Sequence, residues 1–168
     1  MTLQTMRGVV PHVAEPVDVL IYVEDPGAAN MVVELSPALE RQDVSCVLAA
    51  AGVAGPFLND RGVNVAVTPD PNRLEELFEV FHPRLLCVGT SENTDDLAHG
   101  LVGIARVKGV PSVGLVDMEV NAGNRFRGGT DNPLAHAPDW LIVPDRQTRE
   151  AFEHLDFPAE RIAVCGNP

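Results

Sequence analysis

Lysine is almost absent: Lys108 stands alone beside eleven arginines in a chain of 168 residues. That scarcity argues against a P-loop, whose lysine reaches the phosphates. Basic residues as a whole number 12 against 24 acids, for a net charge of −12 and a pI near 4.6. So acidic a chain lacks the basic footprint of a nucleic-acid binder and does not dock on anionic lipid. Cysteine is sparse as well. Cys46, Cys87 and Cys165 form no C-x-x-C pair, and each lies in an apolar run. They read as buried, reduced thiols of a cytosolic protein, with a catalytic cysteine as the alternative. The five histidines show no i, i+4 pair and no ligand spacing, so neither a zinc site nor any other metal site is expected. There is no G-x-S-x-G elbow and no G-x-G-x-x-G fingerprint. Only Trp140 and Tyr22 accompany six Phe, which leaves no aromatic pair for a flavin. No cofactor is called for. The first residues lack the apolar core of a signal peptide, and no run approaches the roughly 20 apolar residues that span a bilayer. These absences predict a soluble, cytoplasmic protein.

What the chain does have is a regular rhythm. With 45% hydrophobic and 21% charged residues it can build a core without disulfide or metal. After a loose leader over 1–17, short apolar runs alternate with helical patterns. The runs are 19–23, 44–50, 63–67, 85–88, 112–116, 140–143 and 162–164. Between them, helices are predicted over 28–41 (Met31, Leu35 and Leu39 on one face), 53–60, from Pro71 through Phe81, 97–107 and 146–155. Residues 121–138 form a long irregular stretch with three Gly and two Pro, a clamp or a flap. Continuously apolar strands mark a parallel sheet covered on both faces. The expectation for 18–168 is a single three-layer αβα Rossmann-like domain with a mostly parallel sheet of six to seven strands.

In such a sheet, ligands bind beyond the carboxyl ends of the strands. This places four loops on one rim. After the first run come Asp25, Gly27 and Asn30. Gly27 permits close approach to a helix N-terminus, and Asp25 equally reads as its cap. After the run at 85–88 come Thr90, Ser91 and Glu92, as polyol contacts or as caps of the next helix, although Asp95 or Asp96 suits the cap better. After 112–116 come Asp117 and Glu119, the latter a general acid or base or else a solvated carboxylate. Arg125 and Arg127 follow in a Gly-rich loop, gripping an anionic ligand or pairing with one of the acids. Pro144-Asp145, after the run at 140–143, completes the rim.

The tail Ala137-Pro138-Asp139-Trp140-Leu141-Ile142-Val143-Pro144-Asp145, followed by Pro158-Ala159-Glu160-Arg161-Ile162 and Val164-Cys165-Gly166-Asn167-Pro168, resembles the end of the N-terminal domain of GT-B-type glycosyltransferases. The UDP-N-acetylglucosamine 2-epimerases share that architecture. Asp117-Met118-Glu119, then Gly123-Asn124-Arg125, is similar to the epimerases' His-Val-Glu-Ala-Gly-x-Arg with an insertion. Two departures stand against epimerase chemistry: no Gly-Thr-Arg-Pro follows the first strand, and Gly89-Thr90-Ser91-Glu92 replaces His-Gly-Asp-Thr. The resemblance implies the acceptor-binding half of a sugar-transferring or nucleotide-sugar-processing enzyme, inactive alone. Its partners would be a nucleotide sugar or a sugar acceptor and a missing C-terminal Rossmann domain, with a homodimer left open. Glu119 would be the catalytic residue, and Asp25, Gly27, Asn30, Thr90, Ser91, Glu92, Asp117 and Arg125 the substrate contacts. The competing expectation is a stand-alone Rossmann-like module that binds a nucleotide or a sugar. A flavodoxin-like or nicotinamide-dependent oxidoreductase is the remaining class.

Overall fold

The computed structural model describes residues 16–166. The leader therefore lies outside the described residues up to position 15, as do Asn167 and Pro168 of the tail. Val17 is already tied in: its N–H donates to the Phe81 carbonyl at 3.0 Å, and its carbonyl accepts from Arg84 N at 3.1 Å.

Six parallel strands form one sheet in the order β2-β1-β3-β4-β5-β6. They are β1 (Val19–Val23), β2 (Cys46–Ala50), β3 (Leu85–Gly89), β4 (Ser112–Leu115), β5 (Trp140–Val143) and β6 (Ile162–Val164). Five helices connect them: α1 (Pro26–Glu40), α2 (Ala54–Asn59), α3 (Glu75–Phe81), α4 (Leu97–Lys108) and α5 (Arg146–Glu153). This is the expected Rossmann-like three-layer domain. Strand residues alternate between two cores, as the pleat requires. Val19, Ile21 and Val23 pack under α1 and α2 with Ala28, Ala29, Val32, Ala54 and Leu58. Leu20 and Tyr22 pack under α3 and α4 with Leu77, Phe78, Leu101 and Ala105. The strand registers carry this second face from Tyr22 through Val88 and Gly114 to Leu141. There Phe126, Phe152 and Phe157 complete it. The 121–138 stretch is thus a packed cover over that end of the sheet, with one short 3₁₀ turn at Ala122–Asn124.

The structure departs from the sequence reading at several points. Residues 63–67 make only a single parallel bridge, Val67 opposite Ala49, beside the edge strand β2. Asp70 delays the helix expected from Pro71: its side chain accepts from Asn72 N at 2.9 Å in a local turn, and α3 begins at Glu75. In α1 the stripe buried deepest is Ala28, Ala29 and Val32, not Met31, Leu35 and Leu39, which flank it. The cause is close approach. A Cβ on Gly89 would run into the Ala28 methyl, so β3 and α1 touch through their smallest residues. Finally, Cys87 is buried and Cys46 partly so, but Cys165 is exposed beyond β6.

Candidate functional site

The order of the sheet decides where the site lies. Strand β1 has β2 on one side and β3 on the other, so the crevice opens where their carboxyl ends diverge. The loops after β1, β3 and β4 meet there. Asp25 caps α1, its Oδ1 accepting from Ala28 N at 3.0 Å. A Cβ on Gly27 would collide with Asp117 Oδ2 and lie 3.2 Å from Asp117 Cγ, so Gly27 leaves the space that the Asp117 carboxylate fills. Arg125 clamps this arrangement from below, with a side chain only 4% exposed. Its Nη2 stands 2.9 Å from Asp117 Oδ1, an ion pair by distance whose atoms are not aligned as a hydrogen bond. Its Nη1 donates to the Thr90 carbonyl at 3.0 Å and to Thr90 Oγ1 at 3.2 Å. Thr90 Oγ1 in turn donates to the Leu115 carbonyl at 2.9 Å. Burial raises the carboxyl of Asp25 above its usual range, and the neighbouring Asp117 charge adds to that.

Beside this cluster lies a second one, built on Tyr22 and Glu24. Tyr22 Oη donates to Glu24 Oε2 at 2.7 Å, and Leu97 N donates to the same oxygen at 3.2 Å. Asp96 is the cap of α4, accepting from Ala98 N at 2.8 Å and from Ser91 Oγ at 2.5 Å. Burial pushes Asp96 up to about 6, opposed by its bonds to Ser91 and Ala98 and reinforced by the Glu24 carboxylate against it. Burial likewise raises the Tyr22 phenol, with Glu24 adding to the effect. The sequence narrows this cap to Asp95 or Asp96 and assigns no site role to Glu24 or Tyr22. Tyr22 sits in an all-apolar run, and nothing local shows that its hydroxyl reaches the rim.

The other expected residues spread along the same edge. Glu92 is exposed and accepts from Asn121 Nδ2 at 2.6 Å. Beside it an open depression of about 430 Å³ is lined by Glu92, Thr94, Asn124, Arg127, Gly128 and Gly129. Glu119 accepts from Gln147 Nε2 at 3.0 Å, which turns it toward the start of α5. Asn30 is exposed on α1. Ser91 is spent on Asp96 and on Asn93 N, 3.2 Å away. His99 and His136 stack with ring centroids 4.9 Å apart, and His99 Nε2 lies 2.9 Å from the Arg125 carbonyl. Among the described residues no three His, Cys, Asp or Glu side chains gather as a metal-ligating set. What the rim offers is a dense set of carboxylate acceptors with one buried cation among them, suited to hydroxyl groups.

No protein-family model matches the sequence, and no curated protein does either. Solved structures do share the fold. A UDP-GlcNAc 2-epimerase from Neisseria meningitidis, bound to UDP-GlcNAc, superposes with a TM-score of 0.68 at 12% identity, over 90% of this chain and 47% of the epimerase. The MnaA–UDP structure from S. aureus gives 0.67 at 13% identity, over 90% and 45%. MurG from Acinetobacter baumannii gives 0.61 at 14% identity, over 89% and 45%. The chain thus shares the fold of a Rossmann-like domain within these proteins, the architecture that the tail motif implied. The chain spans about half the length of these proteins. Among its described residues no helix is long and apolar enough to cross a membrane.

Proposed function

We propose that this chain is the acceptor-binding half of a GT-B-like enzyme that transfers sugars or processes nucleotide sugars, and that it is inactive without a second Rossmann domain. The observation that carries this reading is the pairing of scale and site. The fold accounts for under half of proteins solved with UDP or UDP-GlcNAc, and its own switch-point rim presents Asp25, Glu92, Asp117 and Glu119 rather than a glycine-rich phosphate loop. Carboxylates of this kind accept hydrogen bonds from sugar hydroxyls. Thr90 and Arg125 hold Asp117 in place, and Ser91 and Asp96 hold the neighbouring loop. In the complete enzyme Glu119 acts as the general acid–base group at the cleft edge.

The test is a two-part titration of the 168-residue chain. Amide-resolved NMR with a neutral N-acetylhexosamine is expected to shift the resonances of Asp25–Ala29, Thr90–Glu92 and Asp117–Glu119. Incubation with UDP-GlcNAc is expected to yield neither transfer nor epimerisation until a second domain is supplied. Turnover by the chain alone, or sugar-induced shifts confined to other surfaces, would overturn the reading.

A further inference from the structure

A helix that follows a parallel strand through a glycine turn has free N–H groups and a positive dipole end, and its usual guest is an anionic phosphate. In this chain two N–H groups at the head of α1 already have partners: Asp25 Oδ1 accepts from Ala28 N and the Asp25 carbonyl from Ala29 N, both at 3.0 Å. The carboxylate of Asp117, carried on the loop after β4, occupies the space over Gly27 that a Cβ would need. Arg125, the buried cation beside it, is committed to the same carboxylate and to Thr90, while its Nε has no partner. A guanidinium buried to this degree within an acidic rim is what a bound anion would require. Here the protein's own side chain supplies the anion.

We infer that Asp117 is a built-in substitute for an anionic ligand, and that it sets the specificity of this rim by refusing phosphate and admitting neutral hydroxyl-bearing groups. The charge count supports this. An arriving phosphate meets Asp117 and Asp25 with only Arg125 to offset them, and Asp25 already accepts from Ala28 N, one of the donors a phosphate would use. A hydroxyl faces no such repulsion, and Asp117 remains 23% exposed, so its outer lone pairs can accept from one. The inference deepens the proposed function, in that phosphate recognition then falls to the absent domain. It is tested by a different ligand.

The probe is inorganic phosphate, followed at the Arg125 Nε–H and the Gly27 amide by NMR on the whole chain. The wild type is expected to show no saturable shift there. Asp117→Asn, which keeps the shape and frees the Arg125 charge, is expected to gain binding there, at least about tenfold tighter than the wild type. Saturable phosphate binding by the wild type at these groups overturns the inference. So does a folded Asp117→Asn protein that gains none. If that variant fails to fold, the wild type decides through a competition. Shifts with a neutral hexose but not with phosphate support the inference, and the reverse pattern refutes it. A failure with phosphate leaves the sugar titration untouched, so the two readings fail separately.

Discussion

Asp96 provides the most searching test of the buried acid cluster. It is 5% exposed, faces Glu24, and is pushed up from 3.8 to about 6, chiefly by burial. A carboxyl whose folded value is raised binds more protons in the folded state, so stability falls as pH rises from 3.8 through 6. A shift of about two units at about 1.4 kcal/mol each makes the full penalty at neutral pH about 3 kcal/mol. About half of that, roughly 1.4 kcal/mol, develops between pH 5 and pH 8, a range clear of the pI. Asp96→Asn removes the ionisation yet leaves an oxygen to accept from Ala98 N, so the α4 cap survives. Urea unfolding of both proteins across that range isolates the Asp96 contribution, because shared titrations cancel in the difference. One such shared term is His136, which is lowered by burial and by His99, so its own stability contribution is lost as pH falls below 6.5. The variant is expected to gain on the wild type by about 1.4 kcal/mol from pH 5 to pH 8. A difference that is flat with pH, or that shrinks toward pH 8, would refute the argument that Asp96 is held against Glu24 in a desolvated site. Glu24→Gln in the same background should abolish part of the pH dependence, since it removes the repelling neighbour.

Three further outcomes follow from the packing. Gly89→Ala is expected to cost about 1–3 kcal/mol in chemical unfolding, because its methyl meets Ala28 across the β3–α1 contact. Arg125→Ala is expected to cost about 3–5 kcal/mol by the same assay, since it strands the Asp117 carboxylate beside Asp25; a loss under about 1 kcal/mol would mean the ion pair is idle. With a thiol reagent under native conditions, Cys165 should react first and Cys46 more slowly. Cys87, whose thiol burial pushes up to about 12, should react only on unfolding, and fast labelling of it would contradict its place in the core.

The parts legible in the chain are those whose causes are local. Short apolar runs alternating with amphipathic helices specify a parallel sheet, because a strand with no polar face must be covered on both sides. The caps of α1, at Asp25, and of α4, at Asp95 or Asp96, are legible because a cap acts within three residues of itself. The motif around Asp139–Val143 and Ile162–Gly166 pointed to the architecture that the superpositions then showed. The edge run at 63–67 was overread, because hydrophobicity cannot tell a strand from a segment that touches a sheet at one residue. Which charges meet is a matter of the folded arrangement. Asp117 lies over Gly27, Arg125 against Thr90, Glu24 against Asp96 and His99 against His136, all between residues far apart in the chain. Those encounters depend on the order β2-β1-β3-β4, which sets the ends of β1, β3 and β4 side by side. A sequence pattern reports what each segment buries, but the potential at a site is a sum over every segment that reaches it.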